Sequence, residues 1–323
     1  MSPRSLSAAA LAFALLIVPA SAQKQAAHPD LQGYWTNATF TPLERPVELG
    51  NKEFFTKEEA AEFDRKRLAR ENAQSKEDIH YDNALWQTET WGRVESRRTS
   101  IVFDPPNGKL PELSPDGKIK AAANAEAARR RASADSAQDR SLAERCITWG
   151  NEGPPMLGST YNANLQIVQN ANLLVIAHEI GHANRLIPLD GHPHLSASVH
   201  QLGGDSRGHW EGDTLVVDST NFNDQTNFRG PPAQARQDIF SDANLHVVER
   251  FTLTSPNTII YRFTVTDPTV WTKPWSGELL MNRTKGPIYE YACHEGNYGL
   301  ANILAGARAA EKAAAKPTNQ SSR

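Results

Sequence analysis

The chain has 323 residues, with 34 Lys and Arg against 37 Asp and Glu, a formal charge of −3, 39% hydrophobic residues and 22% charged residues. This globular composition excludes a collagen-like, mucin-like or wholly disordered chain, and the near balance of charge excludes the basic footprint of a nucleic-acid binder. Twenty Gly and 20 Pro punctuate more strands and turns than a helix bundle tolerates, so a mainly β fold is expected.

The first 22 residues read as a signal peptide. Arg4 supplies the positive start, residues 8–18 form an apolar run too short to span a bilayer, and Pro19-Ala20-Ser21-Ala22 offers an A-x-A cleavage site before Gln23. Export to a periplasmic or extracellular location follows. The mature chain keeps 33 bases against 37 acids and has no further run long enough for membrane insertion. In an oxidising compartment its two cysteines, Cys146 and Cys293, are expected to form a disulfide.

Residues 23–145 read as an opening strand at Asp30-Leu31-Gln32-Gly33-Tyr34-Trp35 followed by peripheral helices. Thr56 and Glu59 make a capping box before a charged helix over 62–70, and Ser114-Pro115 opens a second helix that runs through an Ala/Arg-rich stretch towards Arg131. Residues 146–298 read as an antiparallel meander of hairpins: 165–169 with 173–177, 206–210 with 214–218, 245–252 with 258–266, and 277–283 with 287–293. That many short strands remove their exposed edges by closing, which predicts a lipocalin-like β-barrel with helices outside it. Residues 299–323 read as an Ala-rich helix and a frayed tail.

His178-Glu179-Ile180-Gly181-His182 matches H-E-x-x-H, which on a helix presents His178 and His182 to one zinc ion with the Glu polarising a bound water. A zinc metallopeptidase is therefore one alternative. Against it, the run Leu173-Leu174-Val175-Ile176 suits a buried strand as well as a helix, and Arg185 and Pro188 stand where an extended zincin spacing wants Gly and His. As one strand, the segment would put His178, Ile180, His182 and Asn184 on one face and Glu179, Gly181, Ala183 and Arg185 on the other.

Seven of the 10 His lie between His178 and His246. His192 and His194, beside Gly191 and Pro193, read as an exposed turn. Period-2 reading puts Glu249 among Leu245, Val247 and Phe251, and Glu290 with Ile288 and Ala292, ahead of His294. Buried charges need partners, so these are candidates either for structural Glu–Arg pairs or for a pocket with acid/base chemistry. Trp271 and Trp275, flanked by Asp267-Pro268 and Lys273-Pro274, suggest a barrel mouth whose aromatics cap the core or stack on a ligand.

Four strings, Leu186-Ile187-Pro188-Leu189-Asp190-Gly191, residues 204–217, residues 244–251 and residues 289–298, resemble a family of exported bacterial proteins, with the likeness running from about Asp30 to about Arg308. The family pattern E-M-I-H-D-A-R maps onto Glu179, His182 and Arg185 but has no counterpart of His178, which implies that H-E-x-x-H is accidental here. Ala183 departs from that pattern. Gly33-Tyr34-Trp35 also resembles the G-x-W opening of lipocalin-type barrels. The leading expectation is an exported barrel acting on a small organic molecule without a cofactor or a nucleic-acid partner. If it is an enzyme, metal-independent hydrolysis or elimination would use Glu179 or Glu249 as base and His182 or His246 as its partner or acid. Arg185 or Arg250 would hold an anionic group, with Trp271, Trp275 and His294 lining the site. A non-catalytic, lipocalin-like carrier is the other reading.

Overall fold

The computed structural model describes residues 28–74, 97–131, 134–149, 152–158, 163–181, 184–225 and 239–315. The expected signal peptide lies outside these residues. The strands are β1 (Gly33–Thr36), β2 (Val102–Asp104), β3 (Asn164–Gln169), β4 (Leu173–His178), β5 (Asn184–Pro188), β6 (Asp205–Glu211), β7 (Thr214–Thr220), β8 (His246–Ser255), β9 (Thr258–Thr266) and β10 (Trp275–Arg283). The described helices are α1 (Lys57–Gln74), α2 (Pro115–Arg131) and α3 (Tyr298–Ala314), with two short 3-10 turns.

Nine strands follow one antiparallel path, β5-β4-β3-β1-β10-β9-β8-β7-β6, and β2 adds to β10. Around the barrel the strands keep chain order, because β1 bridges β3 on one side and β10 on the other. That is an up-and-down barrel, the architecture lipocalins also use, with nine strands in place of eight. The fold is thus a nearly closed antiparallel β-barrel with peripheral helices, and β1 from the N-terminal region is one of its staves.

Alternation sets the interior. Leu165 and Ile167, Leu174 and Ile176, Leu215 and Val217, Val247 and Phe251, then Ile259, Phe263 and Val265 all point inward and are buried. Each such side chain contributes about 1.5–3 kcal/mol relative to leaving it in water. Trp35, Trp271 and Trp275 belong to the same core, and the last two rings meet edge to face at 5.7 Å.

The capping box forms as expected, Glu59 N–H donating to Thr56 Oγ1 at 3.2 Å and Thr56 N–H to Glu59 Oε2 at 2.8 Å. Ser114 Oγ accepts from Gly117 N–H at 2.9 Å to start α2. Three of the four expected hairpins are present. The fourth is not: β10 is a strand, but residues 284–297 carry no strand, with Glu290 and His294 exposed. This stretch is held instead by the Cys146–Cys293 disulfide, whose Cα atoms lie 5.7 Å apart, and by Tyr289 N–H donating to Glu179 Oε1 at 3.1 Å.

The segment 173–188 is also not one continuous strand. β4 ends at His178 and β5 starts at Asn184, and between them Gly181 turns the chain at φ 72°. A Cβ at Gly181 would sit 1.6 Å from Glu152 Oε1, so both conformation and space require glycine. The turn reverses the chain and resets the alternation. His178 and Arg185 consequently both point inward, at 5% and 7% exposure, while Asn184 faces solvent. The face assignment that separated them is corrected on this ground. A zincin helix is likewise not what these residues build.

Candidate cleft at the barrel seam

Eight antiparallel steps separate β5 from β6, so the two ends of the sheet run in the same direction. They lie side by side without a ladder. The contact is tight at Gly208, where a Cβ would meet Leu189 Cδ2 at 2.5 Å and Ile187 Cγ2 at 2.9 Å. Towards the strand starts there is a cleft of about 650 Å³ between Asn184, Arg185 and Leu186 on one wall and Asp205, Ser206 and Arg207 on the other. Ile147, Thr148 and Glu152 close one side, and Leu195 with Gln201 to Gly204 of the β5–β6 connection close another.

Apolar groups exposed to solvent gather at this cleft. Ile147, Leu186 and Leu195 are 42%, 60% and 45% exposed, and all three line it. Among the charged groups of its walls, Asp205 and Arg207 neutralise each other. Arg207 Nη1 meets Asp205 Oδ1 at 2.8 Å and Arg207 Nε donates to Pro193 O at 3.1 Å, while Glu152 Oε2 accepts from Thr148 Oγ1 at 2.5 Å.

Arg185 reaches from the cleft into the barrel, where it forms a fork with Glu249: Nη1 to Oε1 at 2.9 Å and Nη2 to Oε2 at 2.5 Å. Tyr261 Oη donates to Glu249 Oε1 at 2.7 Å and accepts from Met156 N–H at 2.8 Å. Burial opposes the Arg185 charge, but Glu249 beside it holds the guanidinium pKa above its ordinary value. Burial pushes the Tyr261 phenol well up, and the Glu249 charge adds to this. His178 is held neutral: burial, then the Arg185 charge, lower it to about 3.

A second polar chain runs along the outer face of β6, β7 and β8 beside the cleft. His194 Nδ1 lies 2.8 Å from Asp205 Oδ2 and its Nε2 lies 3.0 Å from Asp218 Oδ1, while His246 Nε2 meets Asp218 Oδ2 at 2.8 Å. The His246 contact, ahead of the opposing cost of burial, holds the Asp218 carboxyl below its usual range, and the same bond raises His246.

The residues singled out from the sequence therefore fall in several places. Arg185 and Glu249 are paired with each other inside the barrel. His246 is half-exposed on the outer face, and Arg250 points outward to Glu211, Nη2 to Oε2 at 2.6 Å. Glu179 holds Asn164 Nδ2 at 2.7 Å and the Tyr289 amide, an anchoring role. Trp271 and Trp275 are core residues, His294 is exposed away from the cleft lining, and His182 lies outside the described residues. Sequence reasoning missed Glu152, Asp205, Arg207 and Asp218, and it read His194 as a solvated turn. The available signal was alternation in β6 and β7, which puts Asp205, Arg207 and Asp218 on one outward face next to a long connection. No protein-family model matches the chain, and none of the curated proteins matches it in sequence.

Proposed function

We propose that this protein is an exported carrier of a small uncharged organic molecule, which it holds in the cleft between β5 and β6. The carrying observation is the cleft's composition. Exposed Ile147, Leu186 and Leu195 converge on about 650 Å³ whose two arginines are each paired with a carboxylate, Arg185 with Glu249 and Arg207 with Asp205, which favours an apolar body without net charge. The A-x-A leader and the disulfide support export to an oxidising compartment.

Glu249 suits a structural role better than that of a general base, because its two oxygens already accept three hydrogen bonds in a site with no exposure. Metal-independent hydrolysis or elimination is the second reading. It rests on the Asp218–His246 pair, an imidazole of raised pKa with a carboxylate partner and partial access to solvent.

Gly203 offers a direct test. It lines the cleft, its φ is outside the left-handed region, and a Cβ there would meet nothing within 4 Å, so Gly203→Trp starts a bulky side chain in open space at the cleft. Titration with Nile red, a neutral solvatochromic dye, should show saturable binding that Gly203→Trp weakens at least about tenfold at unchanged thermal stability. Equal binding by both proteins, or none by either, would overturn the carrier reading.

A further inference from the structure

The connection between β5 and β6, residues 189–204, forms one side of the cleft, and one imidazole ties it to two strands of the sheet at once. His194 stands between two carboxylates, one ring nitrogen on Asp205 and the other on Asp218. A neutral imidazole carries one N–H and one lone pair, so it can satisfy only one of them. The other contact would then set a lone pair against a carboxylate. Both bonds at once require the imidazolium. We propose that His194 is a proton-operated latch which fastens this connection across the cleft and releases it as pH rises, so that entry and exit are pH-dependent. The gating half of this proposal rests on the carrier reading of the cleft.

The neighbouring contacts decide which part moves. The far end of the connection is held separately, by bonds to backbone carbonyls: Gln201 N–H to Asn221 O at 2.8 Å and His200 Nδ1 to Phe222 O at 2.8 Å. The near end depends on the latch. Asp205 Oδ2, which receives His194, also accepts the Leu195 N–H at 3.0 Å, and Leu195 is itself a cleft residue. Arg207 and Asn221 add bonds to the carbonyls of Pro193, Leu195 and Ser196, which limit the release to a local opening.

Among the described residues, the charged groups around His194 are few. Arg207 neutralises the other oxygen of Asp205 from β6, and His246 on β8 takes the other oxygen of Asp218 on β7. On the connection itself, Asp190 and His192 pair with each other at 2.9 Å. Farther along the same face, Glu211 is shared by His209 and Arg250. The His246 bond keeps Asp218 ionised to low pH, which sets the acid limit of the latch. The connection is therefore closed on the acid side and opens on the alkaline side.

Two substitutions separate this from a merely structural contact. His194→Gln cannot donate in two opposed directions, so its connection should be open at every pH. Asp218→Asn lets a neutral His194 donate to Asp205 and accept from the side-chain amide that the substitution introduces, so that connection should stay closed at every pH.

The readout is amide hydrogen exchange at Leu195, corrected for intrinsic exchange, from about pH 5 to about pH 9, a span that brackets imidazole titration. Protection in the unsubstituted protein should fall about ten- to a hundredfold, the worth of one charge-assisted hydrogen bond. It should be uniformly low in His194→Gln and uniformly high in Asp218→Asn, and Nile red dissociation rates should follow the same order. Protection that does not change with pH, or variants that both titrate like the parent, would overturn the latch. The expected exchange pattern with no Nile red binding at any pH would leave the latch standing and refute the carrier reading instead.

Discussion

Replacing Glu249 by Gln tests whether the ion pair inside the barrel holds the fold or serves a reaction. The carboxylate has no solvent exposure and the Arg185 side chain only 6%. Gln would keep one carbonyl oxygen for the Arg185 fork, but its NH2 would face a guanidinium N–H, donor against donor. The buried charge would lose its counter-ion. Breaking a buried pair from one side costs about 3–5 kcal/mol, mostly as the penalty of the charge left behind, and Tyr261 Oη would compete for the same remaining acceptor. Glu249→Gln should therefore lose a large share of the roughly 5–15 kcal/mol typical of a domain. The double variant Arg185→Met/Glu249→Leu removes both charges at similar volume and should recover to within about 2 kcal/mol of the parent or exceed it. Urea unfolding followed by Trp fluorescence gives both values from the midpoint, provided the slope is unchanged. A single variant that costs under about 1 kcal/mol, or a double variant no better than the single, would refute the structural role. Retained Nile red binding in the double variant would separate the pair from the ligand site.

Two further outcomes follow from the same interior and its staple. His178 is neutral in the fold with its pKa lowered to about 3 by burial, so the unfolded chain takes up the proton first; the stability it contributes is complete above about pH 6.5 and is lost as pH falls towards 3. Urea midpoints against pH should show about 2 kcal/mol of this loss by about pH 5, and His178→Leu should abolish that component; an unchanged acid slope would count against a buried neutral imidazole. The Cys146–Cys293 disulfide spans 147 residues, which in the loop-entropy model stabilises the fold by about 5 kcal/mol. Cys146→Ser/Cys293→Ser should lower the unfolding free energy by an amount of that order, and a loss under about 1 kcal/mol would show that the reduced chain is already constrained there.

The barrel was readable because alternation and turn chemistry agree along most of its strands. Asn170, Asp213 and Asn257 stand at tight turns between runs of alternating apolar residues, and each hairpin formed where expected. The closure by β1 was not readable, since four residues at Gly33–Thr36 carry little periodicity and their partners lie more than a hundred residues away. Residues 287–293 misled because Ile288, Glu290 and Ala292 alternate like a strand, yet the disulfide and Glu179 hold that stretch without a ladder. The site was less readable than the fold for a related reason. His178 and Arg185 share the interior only because Gly181 reverses the chain, and His194 meets Asp205 and Asp218 only because a long connection folds back over β6 and β7. Short-range periodicity carries no information about either event.

The position of the cleft follows from parity. In an up-and-down sheet every hydrogen-bonded step reverses the strand direction, so an even number of strands closes with an antiparallel seam and an odd number cannot. With nine staves, one neighbouring pair must run parallel. Here that pair is β5 and β6, which are also consecutive in the chain. Parallel neighbours cannot be joined by a hairpin and need a crossover of about a dozen residues or more, which residues 189–204 supply. The parallel seam and the long connection that crosses it are therefore one topological consequence, and the cleft lies where that seam carries no ladder. The same seam bears on the charge chemistry. A seam without a ladder leaves its walls to side chains: Arg185 on β5 turns to Glu249 on β8, and Asp205 and Arg207 pair with each other along β6. An even-stranded relative of this barrel would have no geometric need for either the crossover or the latch.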